Sequence, residues 1–334
     1  MRLRFLPRFV LLLLATFLAI LPACDSYFFY PQRSFMANPH LDRVFHEDVF
    51  FEAPDGVRLH GWFLRPNDEP RGTILFFHGN AENISTHVGA VLWLAMEGYQ
   101  VFLIDYRGYG RSEGTPEMEG IHVDALAAID RLFRTEGVDK DRIVVFGQSL
   151  GGAVAVYAVA NSPHRDRIRA LIIDSAFSGY RRIAREKIAE VVLLWPFQTP
   201  LSLLVTDRYS PCRWIGRIRP VPVLILHGEA DKVVPVRHGE RLYRLAEEPK
   251  QLWIAPGAGH IQALSDGNLR KRLLSYLDSV LRRQKSGETE PGERQSGDSF
   301  PGSITSFSET FLFPGHFSYH DLDFPLCGKR EDLR

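Results

Sequence analysis

The chain has 334 residues, 45% of them hydrophobic, and its 40 Lys and Arg balance 40 Asp and Glu for a formal charge of zero. That length supports one large α/β domain or two small ones with a sizeable core. With no charge excess and no Lys/Arg run, the composition argues against a role on nucleic acid.

The N-terminus reads as a targeting segment. Arg2, Arg4 and Arg8 precede an apolar run over residues 9–21, short for a stable membrane span. "LPAC", ending at Cys24, resembles a bacterial lipobox in which the cysteine is lipidated. Pro22 departs from that box, so an uncleaved N-terminal anchor and plain secretion stand as the other readings of residues 1–24. All three export the downstream domain, and the first two place it at a membrane on the extracytoplasmic side. Asp25 resembles an inner-membrane retention signal.

Residues 44–53 and 57–65 are strand-like runs around "PDG", a hairpin turn signal. The chain then alternates. "GTILFFHG" is an apolar strand, followed by a helical stretch to about Glu97. "YQVFLID" is the next strand, and an amphipathic helix pattern covers residues 118–135. "RIVVFG" leads into Ser149 and a small-residue helix. "RALIID" and "VPVLILHG" are further strands, separated by an insert over residues 175–220. "QLWIAP" closes the set before a final helix at roughly 262–282. Continuous apolar strands alternating with helices imply a mostly parallel sheet covered on both faces, with the opening hairpin antiparallel at one edge. From about residue 285 to 334 the chain is rich in Ser, Gly, Pro and Glu without a period, which reads as a disordered tail.

The three cysteines lie far apart, and neither C-x-x-C nor H-E-x-x-H occurs. A disulfide framework and a zinc site therefore have little support. The absence of G-x-x-x-x-G-K-[ST] and G-x-G-x-x-G argues against nucleotide and dinucleotide sites.

G-x-S-x-G occurs twice, as "GQSLG" around Ser149 and "GRSEG" around Ser112. Only the first joins a strand directly to a helix, the arrangement of a nucleophile elbow. Gly147 and Gly151 would there let strand and helix close on each other. Ser112 lies beyond its strand and reads as part of a folded loop. A serine nucleophile needs a base, and the base an orienting acid. His260 closes "APGAGH", after the last strand; His227 ends an earlier one. The acid should fall between nucleophile and base in chain order. "HGEADKVVP" offers Glu229 and Asp231, of which Asp231 is chosen, with Asp174 as the fallback one strand earlier. Oxyanion-hole N–H groups should come from Leu150 and from the loop after "ILFFHGN", at Asn80 or else Ala81. His78 would brace that loop.

Together "FEAPDGVRLHGWFLRP", "FFHGNAENIS", "DYRGYGRSEGTP", "GQSLGG", "DSAFSG", "LHGEADKVVP" and "GAGH" resemble the α/β-hydrolase superfamily. More narrowly, they resemble a membrane-anchored branch related to serine aminopeptidase-like and prolyl-oligopeptidase-like hydrolases and to protein depalmitoylases. The resemblance implies an α/β-hydrolase fold over residues 26–284 with a short cap insert at about 175–220. It also implies Ser149 as nucleophile, Asp231 as acid, His260 as base, Asn80 and Leu150 as hole donors, and no metal or organic cofactor. Arg107 in "DYRGYG" would make internal hydrogen bonds. In the cap, "VVLLWPFQTPLSLLV" suggests an apolar underside, with Trp195 and Phe197 as substrate contacts. Arg181, Arg182, Arg185 and Lys187 would form a solvated basic face. Two functions of different class are compatible with these residues. One is a serine hydrolase of esters, thioesters or amides acting on a small or acylated substrate, with carboxyl ester or thioester cleavage favoured over peptide cleavage. The other is a non-catalytic, membrane-tethered binding module on the same scaffold.

Overall fold

Pro54-Asp55-Gly56 reverses the chain between two strands, with Gly56 at a φ of 83° where a side chain would be strained. The computed structural model describes residues 28–38 and 41–282. The expectations for residues 1–24, including Cys24, for Asp25 and for the 285–334 tail lie outside them. In chain order the strands are β1 (Tyr30–Pro31), β2 (Phe45–Glu52), β3 (Arg58–Arg65), β4 (Thr73–Phe77), β5 (Ala81–Glu82), β6 (Gln100–Asp105), β7 (Ile143–Gln148), β8 (Ile168–Asp174), β9 (Val223–Gly228) and β10 (Lys250–Ala255). The α-helices are α1 (Ile84–His87), α2 (Leu92–Met96), α3 (Met118–Arg134), α4 (Leu150–Asn161), α5 (Tyr180–Glu190), α6 (Gln198–Ser202), α7 (Pro211–Trp214), α8 (Arg237–Leu245) and α9 (Gly267–Leu281).

An eight-stranded sheet runs β10-β9-β8-β7-β4-β6-β3-β2. β2 and β3 pair antiparallel, as do β3 and β6, and every other pairing is parallel. Successive strand residues face opposite sides. Leu75 and Phe77 join the core under α3, α4 and α8, while Ile74 and Phe76 join the one under α1, α2 and α9. Both faces are thus covered, which is why the central strands read as unbroken apolar runs.

Two features depart from the sequence reading. The helical stretch before Glu97 is broken by a 3-10 turn over Val88–Ala90. Helix α8 carries no clear sequence signal, because "RHGERLYRL" buries only Leu242 among its large apolar residues.

The cap is only partly packed on the domain. α5 lies on the core through Tyr180 and Ile183, and the run from Val191 to Phe197 is exposed. The helix stops at Glu190, and a separate 3-10 turn, Trp195–Phe197, carries Pro196. The basic face is also partly neutralised. Arg182 pairs with Glu186, Lys187 with Glu190, and the Arg181 guanidinium donates to the Val205 carbonyl.

Candidate active site

The carboxyl ends of β4, β7, β9 and β10 bring together the loops that the sequence singles out, as expected for a parallel sheet. Ser149 sits between β7 and α4 with φ 53° and ψ −116°, a sparsely populated conformation for a residue with a side chain. Its N–H donates to the Asp174 carbonyl at 2.8 Å, tying the bend to the neighbouring strand. The flanking glycines permit the approach. A Cβ on Gly147 would lie 2.3 Å from the Gly151 carbonyl oxygen, and one on Gly151 only 2.0 Å from that of Phe77.

His260 follows β10. Its Nε2 lies 3.1 Å from Ser149 Oγ and its Nδ1 2.7 Å from Asp231 Oδ2. The second oxygen of Asp231 accepts the Val233 and Val234 N–H groups at 2.9 and 2.8 Å. Burial pushes the Asp231 carboxyl up, but hydrogen bonds from His260 and the Val234 amide, with the charges of His260 and His227, hold it below the ordinary value. A chain of hydrogen bonds from Ser149 through His260 to an ionised acid results. Such a chain can move a proton from the hydroxyl to the imidazole while the carboxylate steadies the cation.

The other candidates for these roles are engaged elsewhere. Asp174 is fully buried and accepts from Gln148 Nε2 and Ser175 Oγ, both at 2.9 Å. Burial raises its carboxyl despite those bonds. Glu229 accepts the Gly257 N–H at 3.1 Å. His227 is buried against the Val234 carbonyl, 2.7 Å from its Nε2, and burial lowers its pKa. Ser112 is a buried loop brace that takes the His60 N–H and donates to the Asp105 carbonyl.

Beside the elbow runs the loop of His78, Gly79 and Asn80. A Cβ on Gly79 would lie 3.8 Å from that of Ser149. His78 is buried, and its Nδ1 donates to the Gly79 carbonyl at 2.7 Å. Burial, with the nearby charge of His87, holds this imidazole well below its ordinary pKa and so neutral. Tyr106 donates to the His78 carbonyl at 3.1 Å and Tyr109 to the Asn80 carbonyl at 2.7 Å. The Asn80 side-chain amide holds the Phe28 carbonyl, also at 2.7 Å. Leu150, buried, opens α4 directly after Ser149.

The sequence marks "DYRGYG" as structural through Arg107, and Arg107 does bind Asp124 and Asp55. Sequence reasoning misses the tyrosines of the same motif, whose hydroxyls fix the loop beside Ser149. It also misses the tie from Asp174 through Ser175 Oγ to the Ile261 N–H, 3.1 Å, which anchors the loop carrying His260. Trp195 and Phe197 do not join the core. Both are exposed, and neither ring pairs with another aromatic group among the described residues.

Comparison with known proteins agrees with this architecture. The α/β-hydrolase domain-containing protein WAV2 of Arabidopsis thaliana is 35% identical over 275 residues, covering 77% of this chain and 86% of its own. This chain is an α/β-hydrolase. The profile of the serine aminopeptidase S33 family, Hydrolase_4, matches residues 68–211. The uncharacterized protein YfhR of Escherichia coli O157:H7 is 38% identical over 283 residues, covering 83% of this chain and 95% of its own. Among solved structures, the Pyrococcus furiosus esterase Pf2001 superposes with a TM-score of 0.61 at 22% identity, over 77% of this chain and 98% of that one. At that identity the likeness speaks for the fold. Membership of this hydrolase family supports hydrolysis as the activity of this α/β-hydrolase.

Proposed function

We propose that the α/β-hydrolase is a serine hydrolase that cleaves carboxyl esters or thioesters through an acyl-enzyme on Ser149. The observation that carries this is the position of His260, within hydrogen-bond reach of both Ser149 and Asp231. Ser149 Oγ attacks the acyl carbon as His260 Nε2 takes its proton, and the carbonyl oxygen becomes an oxyanion. The Leu150 and Asn80 N–H groups, on the two loops that flank the attack, are the donors assigned to that oxyanion. The tetrahedral intermediate collapses, the bond to the alcohol or thiol breaks, and the imidazolium returns its proton to the leaving group. Water, deprotonated by His260, then attacks the acyl-serine. The second tetrahedral intermediate expels Ser149 Oγ, which recovers its proton from the imidazolium. The chemistry calls on side chains and backbone alone.

The family's serine aminopeptidase description favours a second substrate class, amides. The same residues would serve, with the amine protonated as it leaves. Turnover of short p-nitrophenyl esters, acyl thioesters and aminoacyl p-nitroanilides by the wild type, Ser149→Ala and His260→Ala separates these readings. Ester and thioester turnover should exceed anilide turnover, and either variant should lose about a thousandfold or more in kcat. Anilide turnover in excess of the others would make the α/β-hydrolase a peptidase. Undiminished ester turnover by Ser149→Ala would remove the nucleophile assignment.

The N-terminal segment supports export of the domain and attachment to a membrane, by lipid at Cys24 or by the apolar run itself.

A further inference from the structure

Between α5 and the loop after α6 the cap leaves a run of apolar side chains exposed. Val192 and Leu193 are each 85% exposed, Trp195 60%, Phe197 55%, Leu203 53% and Val191 49%. Single exposed apolar residues are ordinary, but a contiguous set marks a contact surface. The chain outside the described residues says what covers it. The apolar run of residues 9–21 ends seven positions before Phe28. Phe28 packs on Phe177 and Tyr180, with ring centroids 6.4 and 5.6 Å apart, at the start of α5.

From there α5 runs its 11 residues to Glu190, where the exposed strip begins. At about 1.5 Å per residue that is a distance of roughly 16 Å. Seven residues of chain reach at most about 25 Å. A membrane holding residues 9–21 therefore lies within reach of the strip.

We propose that the 191–203 strip of the cap docks on the lipid bilayer that holds the N-terminus. Insertion of apolar side chains carries the contact, and headgroup charge contributes little, because Arg182 and Lys187 are already paired with Glu186 and Glu190. The proposal depends on the N-terminal reading and not on the catalytic one.

The test uses the full chain reconstituted into phosphatidylcholine vesicles with brominated acyl chains, with tryptophan emission as the readout. Brominated lipid should quench a component of the emission that is missing in Trp195→Phe. In a Val192→Ser/Leu193→Ser double variant that component should lose at least about tenfold in its partition into lipid, from the transfer energy of the two side chains. Equal quenching of wild type and Trp195→Phe would overturn the proposal, as would an unchanged component in the double variant. Quenching of Trp195 by aqueous acrylamide but not by lipid would show the strip in water and overturn it. Shielding from both would show a second protein covering it, with the same consequence. Raising the phosphatidylserine fraction should change the signal less than about twofold. A steep dependence would overturn apolar insertion in favour of the arginines.

Discussion

Gly151→Ala puts the packing of the elbow to a test in which two physical effects have opposite signs. Gly151 lies in the first turn of α4, where alanine is ordinarily worth up to about 1 kcal/mol over glycine. The structure opposes that gain. The added Cβ would sit 2.0 Å from the Phe77 carbonyl oxygen and 2.5 Å from that of His78. Both are backbone atoms, so the end of β4 and the start of α4 must separate by about 1.4 Å or more before the contact becomes ordinary. Overpacking of this kind costs about 1–3 kcal/mol, or a fall in Tm of a few degrees for a domain of this size. The same shift carries His78, Gly79 and Asn80 away from Ser149, and a 1 Å misplacement at a reacting centre costs about a hundredfold in rate. Calorimetry and steady-state hydrolysis of p-nitrophenyl butyrate read the two effects separately. A variant with kcat within about threefold of wild type and an equal or higher Tm would refute the reasoning.

Other perturbations address neighbouring parts of the α/β-hydrolase. Tyr109→Phe deletes the hydroxyl that holds the Asn80 carbonyl; kcat should fall about tenfold while stability changes by no more than about 1.5 kcal/mol, and an unchanged kcat would show that this hydroxyl has no part in turnover. Glu186 ties the cap to α8 through His238 at 2.9 Å and Arg237 at 2.8 Å. Burial pushes its carboxyl up, but the hydrogen bonds and charges of these two partners outweigh that and bring its pKa from 4.5 to about 2. Its ionised form therefore stabilises the fold fully above the ordinary value of 4.5, and that stabilisation is lost as the pH falls toward about 2. Glu186→Gln should cost on the order of 2 kcal/mol at pH 7, and urea midpoints of variant and wild type should converge as the pH is lowered from about 5 toward about 2. A difference that is independent of pH would mean that packing, not charge, holds this contact.

The parts of the site legible in the sequence are those fixed by short-range pattern. Gly147 and Gly151 flank Ser149 at a spacing set by strand-to-helix geometry, and the apolar strands mark where loops begin. Asp231 and His260 can therefore be placed by strand ends alone, and the structure brings both to Ser149. What escapes the sequence depends on partners distant in the chain. Tyr106 and Tyr109 acquire a role only because β6 lies beside β4, and Ser175 only because its hydroxyl meets the Ile261 amide, 86 residues away. Helix α8 carries too few apolar residues to announce a period, although His238 is buried in it. The cap misleads for the opposite reason. A run of large apolar residues reads as a cap's underside, and nothing local in "VVLLWPF" says how exposed its side chains are on the described domain.

The central claim is that Ser149 is a nucleophile activated by His260. Its most direct measurement is intact mass followed by peptide mapping of the α/β-hydrolase after treatment with a fluorophosphonate, for wild type and His260→Ala. One phosphonyl group on Ser149 in the wild type, with labelling of folded His260→Ala slowed by about a thousandfold or more, is the predicted result. A folded wild type that takes up no label, or takes it up at another residue, would contradict the account.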